Sequence, residues 1–173
     1  MIIQLKNIKV MEQLSEETRC YTASVYLDGK RIGQVSNRGH GGCDEYDFHR
    51  DLAARMDEFL KKTVRPESYV HAGATIEIEY DFEQFCSSIV SKYLRAKDFR
   101  KACRANFLVL ATPDGEKRGV YQFRKRPADK ELIKRGDTRL LTDQIRGWIG
   151  DDRAIVLNLV DDGLEQYVKT VGR

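Results

Sequence analysis

No stretch of this 173-residue sequence approaches the roughly 20 consecutive apolar residues that a membrane-spanning helix needs. The first residues also lack a basic segment followed by a long apolar run, the pattern of a secretory signal, so we expect a cytoplasmic protein. There is no repeat of fixed period and no low-complexity segment, which argues against solenoid architectures and long linkers. The hydrophobic fraction of 41% is sufficient for a buried core.

Closely spaced cysteines are also missing. The four cysteines lie far apart and form no Cys-x-x-Cys pair, which argues against a zinc ribbon or a thioredoxin-like redox centre. We expect them to be reduced and mostly buried thiols. They are Cys20, Cys43, Cys86 and Cys103.

The first third of the chain has the pattern of a small antiparallel sheet. Residues 2–10 have strand composition, and residues 20–27 alternate between apolar and polar side chains. The dipeptide Asp28-Gly29 follows and favours positive φ angles. It predicts a tight two-residue turn that places Val25 opposite Ile32.

Helices and a further strand follow this sheet. Helical spacing of apolar residues predicts a helix that Asp47 caps and that ends near Pro66. The alternating residues 69–80 predict one further strand, and a long helix is expected from about Asp81. After Asp98 the sequence predicts a short helical turn.

The last third predicts a second hairpin, short helices and a buried strand. The hairpin consists of residues 107–111 and 119–123, which flank Pro113-Asp114-Gly115. Residues 154–160 read as the strand, and the last ten or so residues fit either an edge strand or a helix. The helices cover residues 129–135 and 138–149, with Leu140, Leu141, Ile145, Trp148 and Ile149 of the second turned inward.

These elements predict an α+β fold. An N-terminal antiparallel sheet packed by a helix precedes a long helix, a second hairpin and short helices. We expect subdomains at residues 1–81 and 82–173, with one continuous domain as the alternative.

Charge is distributed unevenly along the chain. Residues 82–139 contain 15 Lys and Arg against 7 Asp and Glu, whereas the segments on either side have small negative balances. We predict that these cations form a basic patch that attracts the phosphates of a nucleic acid or nucleotide, or an acidic protein surface. The predicted patch is Lys92, Arg95, Lys97, Arg100, Lys101, Arg104, Lys117, Arg118, Arg124, Lys125 and Arg126.

Two aromatic residues alternate with the cations of the second hairpin. Tyr121 and Phe123 would stack on bases if they face outward and would pack in the core if they face inward. The alternation fits both arrangements. The segment has no zinc-finger spacing, RNA-recognition motif or clear helix-turn-helix, so no sequence-reading module is predicted.

A glycine-rich loop at residues 36–44 contains the densest group of polar residues. It lacks the Gly-Lys-Ser/Thr of a Walker motif and does not fit G-x-G-x-x-G, so a nucleotide-binding fold is not supported. Its glycines permit sharp turns. Because exposed polar loops often carry function, we expect Asn37, Arg38, His40 and Asp44 to form an interaction surface.

The same segment contains donors for a metal ion and a thiol beside imidazoles. His40, Cys43 and His49 are the metal candidates, with Asp44 and Asp47 nearby. A Cys43 nucleophile paired with one of the histidines is a further alternative. Since the spacing does not enforce convergence, we predict no bound metal and no cofactor.

Four segments carry a resemblance to a known group of proteins. They are Leu5-Lys6-Asn7, Ser15-Glu16-Glu17-Thr18, Tyr26-Leu27-Asp28-Gly29-Lys30 and Ser36-Asn37-Arg38-Gly39-His40-Gly41-Gly42. Over about the first 65 residues the chain resembles small, largely uncharacterised accessory proteins encoded by bacteriophages and prophages. The resemblance assigns no catalytic residue. It implies a role in host takeover or in blocking a host defence, in the bacterial cytoplasm.

The sequence therefore predicts a non-catalytic binding protein that blocks or redirects a host protein or nucleoprotein complex. The alternative is a metal-dependent nuclease or nucleotide-signal hydrolase that uses His40, His49 and the aspartates of the loop. A homodimer formed through an exposed sheet edge is a third possibility.

Overall fold

Two compact units make up the chain, Met1–Ser91 and Lys92–Arg173. Helices and antiparallel sheets confirm the predicted α+β class. The boundary between the units, after Ser91, falls within one long helix, Phe82–Ala105, and the expected boundary after residue 81 lies at the start of this helix. The computed structural model describes residues 1–65, 67–71, 74–78, 80–113 and 116–171.

The first unit contains a four-stranded antiparallel sheet in sequence order. Its strands are β1 (Ile3–Val10), β2 (Tyr21–Leu27), β3 (Lys30–Asn37) and β4 (Glu45–Tyr46). Tyr21, Ala23 and Val25 of β2 are buried, as the apolar alternation predicts, but Ser24 is buried too and Leu27 is only half-buried. The glycine-rich loop therefore joins two paired strands of this sheet.

The β2–β3 turn has the predicted conformation but a different register. Asp28 and Gly29 both have positive φ, at 48° and 82°. A bulge then pairs Val25 with Gly33, so the predicted pairing with Ile32 is wrong. The bulge brings Gly33 beneath the chain that follows β4, where a Cβ atom would lie 2.5 Å from a carboxylate oxygen of Asp47.

The helix α1 (Arg50–Thr63) begins later than the sequence indicates. Its N-cap is His49, whose Nδ1 accepts a hydrogen bond from the backbone N–H of Asp51 at 3.4 Å. Asp47 is therefore not the cap. Because β4 pairs with β3, Asp47 lies in the turn after β4 and accepts the backbone N–H of Gln34 instead.

Residues 69–80 do not form one strand. A two-stranded hairpin replaces it, with β5 (Glu67–His71) antiparallel to β6 (Ala74–Ile78). The prediction was wrong because the same alternation suits two short strands that pair with each other. Pro66, expected near the end of α1, lies outside the described residues.

A single long helix, α2 (Phe82–Ala105), follows. It includes the predicted turn after Asp98 without interruption. Asp81 stabilises its first turn by accepting the backbone N–H of Gln84 at 2.8 Å. In the first unit, α2 buries Phe82, Cys86 and Val90, which are spaced four residues apart.

The second unit is built on a three-stranded antiparallel sheet. Its strands are β7 (Asn106–Ala111), β8 (Gly119–Arg124) and β9 (Ile155–Val156), in the order β8-β7-β9. The hairpin of β7 and β8 confirms the prediction, although Asp114 and Gly115 of its tip lie outside the described residues. The central strand β7 is buried on both faces.

The predicted strand at residues 154–160 is shorter than expected. After β9 the chain turns into a 3-10 helix at Leu157–Leu159. Beyond β9, the Asn158 side chain makes the hydrogen bonds to β7 that a strand backbone would make. It accepts the N–H of Leu108 at 2.7 Å and donates to the carbonyl of Asn106 at 3.0 Å.

Helices cover both faces of this sheet. They are α3 (Pro127–Arg135), α4 (Thr138–Ile149) and α5 (Gly163–Val171). Of the two alternatives for the last segment, an edge strand or a helix, the helix is observed as α5. One core contains Phe107, Val109, Ala111, Leu141 and Ile145, and the other contains Leu108, Leu110 and Leu157 with the half-buried Phe99 and Tyr167.

Two residues of α4 that were predicted to point inward are exposed. Leu140 is 52% exposed because it lies about 100° around the helix from the buried Leu141. Trp148 is 49% exposed. It lies in the last turn of α4, where its ring contacts Arg126.

Candidate functional site

Asn37 organises the glycine-rich loop at residues 36–44. Its side chain is buried, and all four of its amide hydrogen bonds are made within the protein. The oxygen accepts from the Thr18 hydroxyl at 2.8 Å and from the N–H of Gly39 at 2.9 Å. The nitrogen donates to the carbonyl of Gly42 at 2.9 Å and to Asp44 at 3.0 Å. Asn37 therefore holds the loop in shape, and the hydrogen bonds of its amide are all used within the protein.

Two glycines in the loop have structural reasons to be glycine. Gly39 has a φ of 89°, and a Cβ atom there would collide with the carbonyl oxygen of Leu14. Gly41 has a φ of 82°, and a Cβ atom would meet the Glu17 carboxylate. The N–H of Gly41 donates to the Thr18 hydroxyl at 3.2 Å, so it is used within the fold.

The exposed side chains of the loop form ion pairs at the surface. Arg38 pairs with Glu45 at 3.0 Å, and His40 Nδ1 lies 3.1 Å from a Glu16 oxygen. Such exposed pairs contribute little to stability, because water screens them. Of the predicted interaction surface, Arg38 and His40 are accessible, whereas Asn37 is buried and Asp44 is half-buried.

The loop does not assemble a metal site from the candidate ligands. His49 lies 3.2 Å from Asp51, whereas His40 is paired with Glu16, and Cys43 is exposed. Among the described residues, no three His, Cys, Asp or Glu side chains converge in a way that could hold a metal ion.

A polar cavity of about 270 Å³ lies beside the loop, within the first unit. Asp44 lines it and accepts the Tyr21 hydroxyl, and Glu83 and Ser87 contribute from α2. Burial raises the pKa of Asp44, although hydrogen bonds from Tyr21 and Asn37 oppose this shift. Burial, together with the negative charges of Asp44 and Asp81, raises the pKa of Glu83. The spacing along the sequence gave no signal that Tyr21 and Glu83 would meet here.

Four cations of α2 lie on one face of the helix, which we call the α2 basic stripe. They follow the spacing i, i+3, i+4, i+7, and all four are exposed. Within the described residues, Arg100, Lys101 and Arg104 form no ion pair. The stripe consists of Lys97, Arg100, Lys101 and Arg104.

The other two predicted cations of α2 are not part of this stripe. At 100° per residue, Lys92 and Arg95 lie more than about 100° around the helix from its centre. The side opposite the stripe packs on the sheet of the second unit through Phe99, Ala102 and Cys103. The stripe therefore faces away from the sheet.

The basic residues of the second hairpin are also divided. Asn106 pairs with Arg124 and Ala111 pairs with Gly119, so Arg124 lies at one end of the hairpin. Lys117 and Arg118 precede β8 at the other end, and β8 itself spans about 17 Å from Gly119 to Arg124. The eleven predicted cations therefore do not form one patch.

Lys125 and Arg126 bind groups within the protein. Lys125 donates to the Cys103 carbonyl at 2.6 Å, near the end of α2 where a cation is favourable. Arg126 pairs at 2.8 Å with Asp129, whose side chain is 1% exposed. Hydrogen bonds from Arg126 lower the pKa of Asp129. The guanidinium of Arg126 also lies over the Trp148 ring, 4.4 Å from its centroid.

Tyr121 and Phe123 do not provide a stacking surface. Both are half-buried and pack against the core that contains Leu141 and Ile145. The Tyr121 hydroxyl donates to Glu116 at 2.6 Å. Of the two arrangements that the sequence allowed, the inward one is observed. The exposed Trp148 beside Arg126 was missed, because helical spacing alone did not separate it from core positions.

Comparisons with known proteins gave no relative. No protein-family model matches the chain, and no curated protein or solved structure does. Among the described residues, no helix is both long and apolar enough to cross a membrane.

Proposed function

We propose that this chain is a bacteriophage-type accessory protein that binds a host nucleoprotein complex through the α2 basic stripe, and thereby blocks or redirects that complex. It acts in the bacterial cytoplasm and has no catalytic role. The observation that carries the proposal is the exposed face of α2, where Arg100, Lys101 and Arg104 have no carboxylate partner among the described residues.

Electrostatics supports a phosphate-bearing partner. The helix fixes the backbone that carries these cations, so binding orders their side chains alone and costs less conformational entropy than it would on a loop. Each phosphate that they neutralise releases condensed counterions, which favours binding at low salt. The remainder of the chain carries a small net negative charge, so the field of residues 82–139 also orients an approaching anion.

Charge reversal tests the proposal. The variant Arg100→Glu, Lys101→Glu, Arg104→Glu should bind nucleic acid and host complexes much more weakly, with the melting temperature nearly unchanged. The slope of log affinity against log salt should fall by about 3, since three phosphate contacts are lost. Fluorescence anisotropy across a salt series, and capture from host lysate, measure these effects.

The matched control reverses three exposed lysines elsewhere, Lys9→Glu, Lys30→Glu and Lys92→Glu. It changes the net charge equally but leaves the stripe intact, so it should retain most of the affinity. Equal losses in both variants would indicate general attraction to net charge. Unchanged binding in the stripe variant would remove the stripe from the proposal.

A further inference from the structure

Trp148 is the chain's one tryptophan and is half-exposed at the end of α4. Exposed aromatic rings are the platforms on which proteins stack unpaired bases. Trp148 belongs to the second unit, which also contains the α2 basic stripe. The adjacent Gly147 has no side chain, and the space around its Cα is open.

Arg126 holds the ring in a fixed arrangement. Its guanidinium covers one face of Trp148, and its Nε and Nη2 atoms donate to Asp129 at 3.2 and 2.8 Å. The backbone N–H of Arg126 also donates to Asp129 at 2.7 Å. Because Asp129 is buried, the guanidinium cannot move freely. The ring is therefore backed by an ordered cation before any ligand binds, which reduces the entropy cost of stacking.

A series of contacts connects this ring to the end of the α2 basic stripe. Lys125, the neighbour of Arg126, donates its backbone N–H to the Ala105 carbonyl at 2.9 Å and its ammonium to Cys103. Arg124, which is exposed, is the strand partner of Asn106, two residues after Arg104. Exposed cations therefore occur along the chain path between Arg104 and Trp148.

We propose that Trp148 stacks on an unpaired base of single-stranded nucleic acid, with Arg126 behind the ring and the exposed Arg124 beside a phosphate that flanks that base. The ligand must be single-stranded, because in a duplex the base faces are stacked on one another and closed to the ring. This inference rests on the proposed function, since the α2 basic stripe supplies most of the electrostatic attraction.

The single tryptophan makes the test direct. A single-stranded oligothymidylate of about 15 nucleotides should quench the intrinsic fluorescence of Trp148, and a duplex of equal length should not. Trp148→Leu should weaken binding of the single strand about 5-fold to 100-fold and leave duplex binding unchanged. Trp148→Phe, which keeps a ring, should lose less affinity. Leu140→Ala, another exposed apolar residue of α4, is the matched control and should bind as the unaltered protein does.

The outcomes separate this inference from the proposed function. If the charge-reversal variant loses binding while Trp148 fluorescence does not respond to saturating single strand, the stacking inference is overturned and the proposed function stands. The same holds if Trp148→Leu binds the single strand as tightly as the unaltered protein does. Quenching measured on the unaltered protein decides the matter even if Trp148→Leu does not fold.

Discussion

The loop at residues 36–44 and the α2 basic stripe differ in how their polar groups are used. In the loop, Asn37 makes all four of its amide hydrogen bonds within the fold. The backbone N–H groups of Gly39 and Gly41 donate to the Asn37 side chain and the Thr18 hydroxyl. On the stripe, three cations have no ion-pair partner among the described residues. The loop thus uses many of its polar groups within the fold, whereas the helical repeat of cations leaves three charges exposed to solvent.

The largest expected effect is on the stability of the loop. Gly39→Ala places a Cβ atom against the Leu14 carbonyl and forces alanine into a φ of 89°, so we expect a loss of more than about 2 kcal/mol. Gly42→Ala is the matched control, because open space surrounds Gly42 and its φ is not positive. Urea unfolding measures both. Equal stability of the two variants would contradict the structural role of the loop.

A smaller effect is expected in the pH dependence of stability, to which Asp44 and Asp129 contribute in opposite directions. Burial raises the pKa of Asp44, so its contribution to stability is present below the ordinary carboxyl pKa and is lost as pH rises through the raised value. Arg126 lowers the pKa of Asp129, whose contribution is present above the ordinary pKa and is lost as pH falls through the lowered value.

Asparagine substitutions should therefore change stability with opposite signs of pH dependence. For Asp44→Asn, the free energy of unfolding should fall less as pH rises toward neutral. For Asp129→Asn, the free energy of unfolding should be lower at neutral pH and should depend less on pH in the acid range. Denaturant midpoints measured from acid to neutral pH test this. Parallel curves for the two variants would refute the distinction.

The smallest effect is expected at His40. It is exposed and its ring pairs with the exposed Glu16, so His40→Ala should change the free energy of unfolding by less than about 0.5 kcal/mol. Binding through the stripe should also persist. Incubation with nucleic acids and Mg²⁺ or Mn²⁺ provides the sharper test. Turnover that His40→Ala abolishes would favour the nuclease or hydrolase alternative over a binding protein.

Local signals in the sequence predicted much of the fold. The alternation in β2 and the Asp28-Gly29 turn depend on neighbouring residues, and both were confirmed. The bulge opposite Val25 depends instead on the chain after β4, which approaches Gly33 from a distant part of the sequence. The observed cap of α1 is His49 and not the predicted Asp47, because β4 ends at Tyr46 and Asp47 lies in the turn that follows it.

The sequence predicted which residues supply the positive charge of the candidate site, but not how the fold arranges them. The excess of cations in residues 82–139 is a property of the sequence. Its division follows from helix phase, which separates Arg95 from Arg100, and from hairpin register, which separates Lys117 from Arg124. Arg126 contacts the exposed Trp148 ring and pairs with the buried Asp129. The contact with Trp148 joins distant parts of the sequence, so spacing along the chain does not predict it.

Asn158 has a consequence for self-association. By bonding to the outer side of β7 at Asn106 and Leu108, it occupies backbone groups that would otherwise be a template for the strand of another molecule. A second molecule that added a strand here would first have to displace the Asn158 amide. That side chain therefore satisfies the part of β7 that the short β9 leaves unpaired.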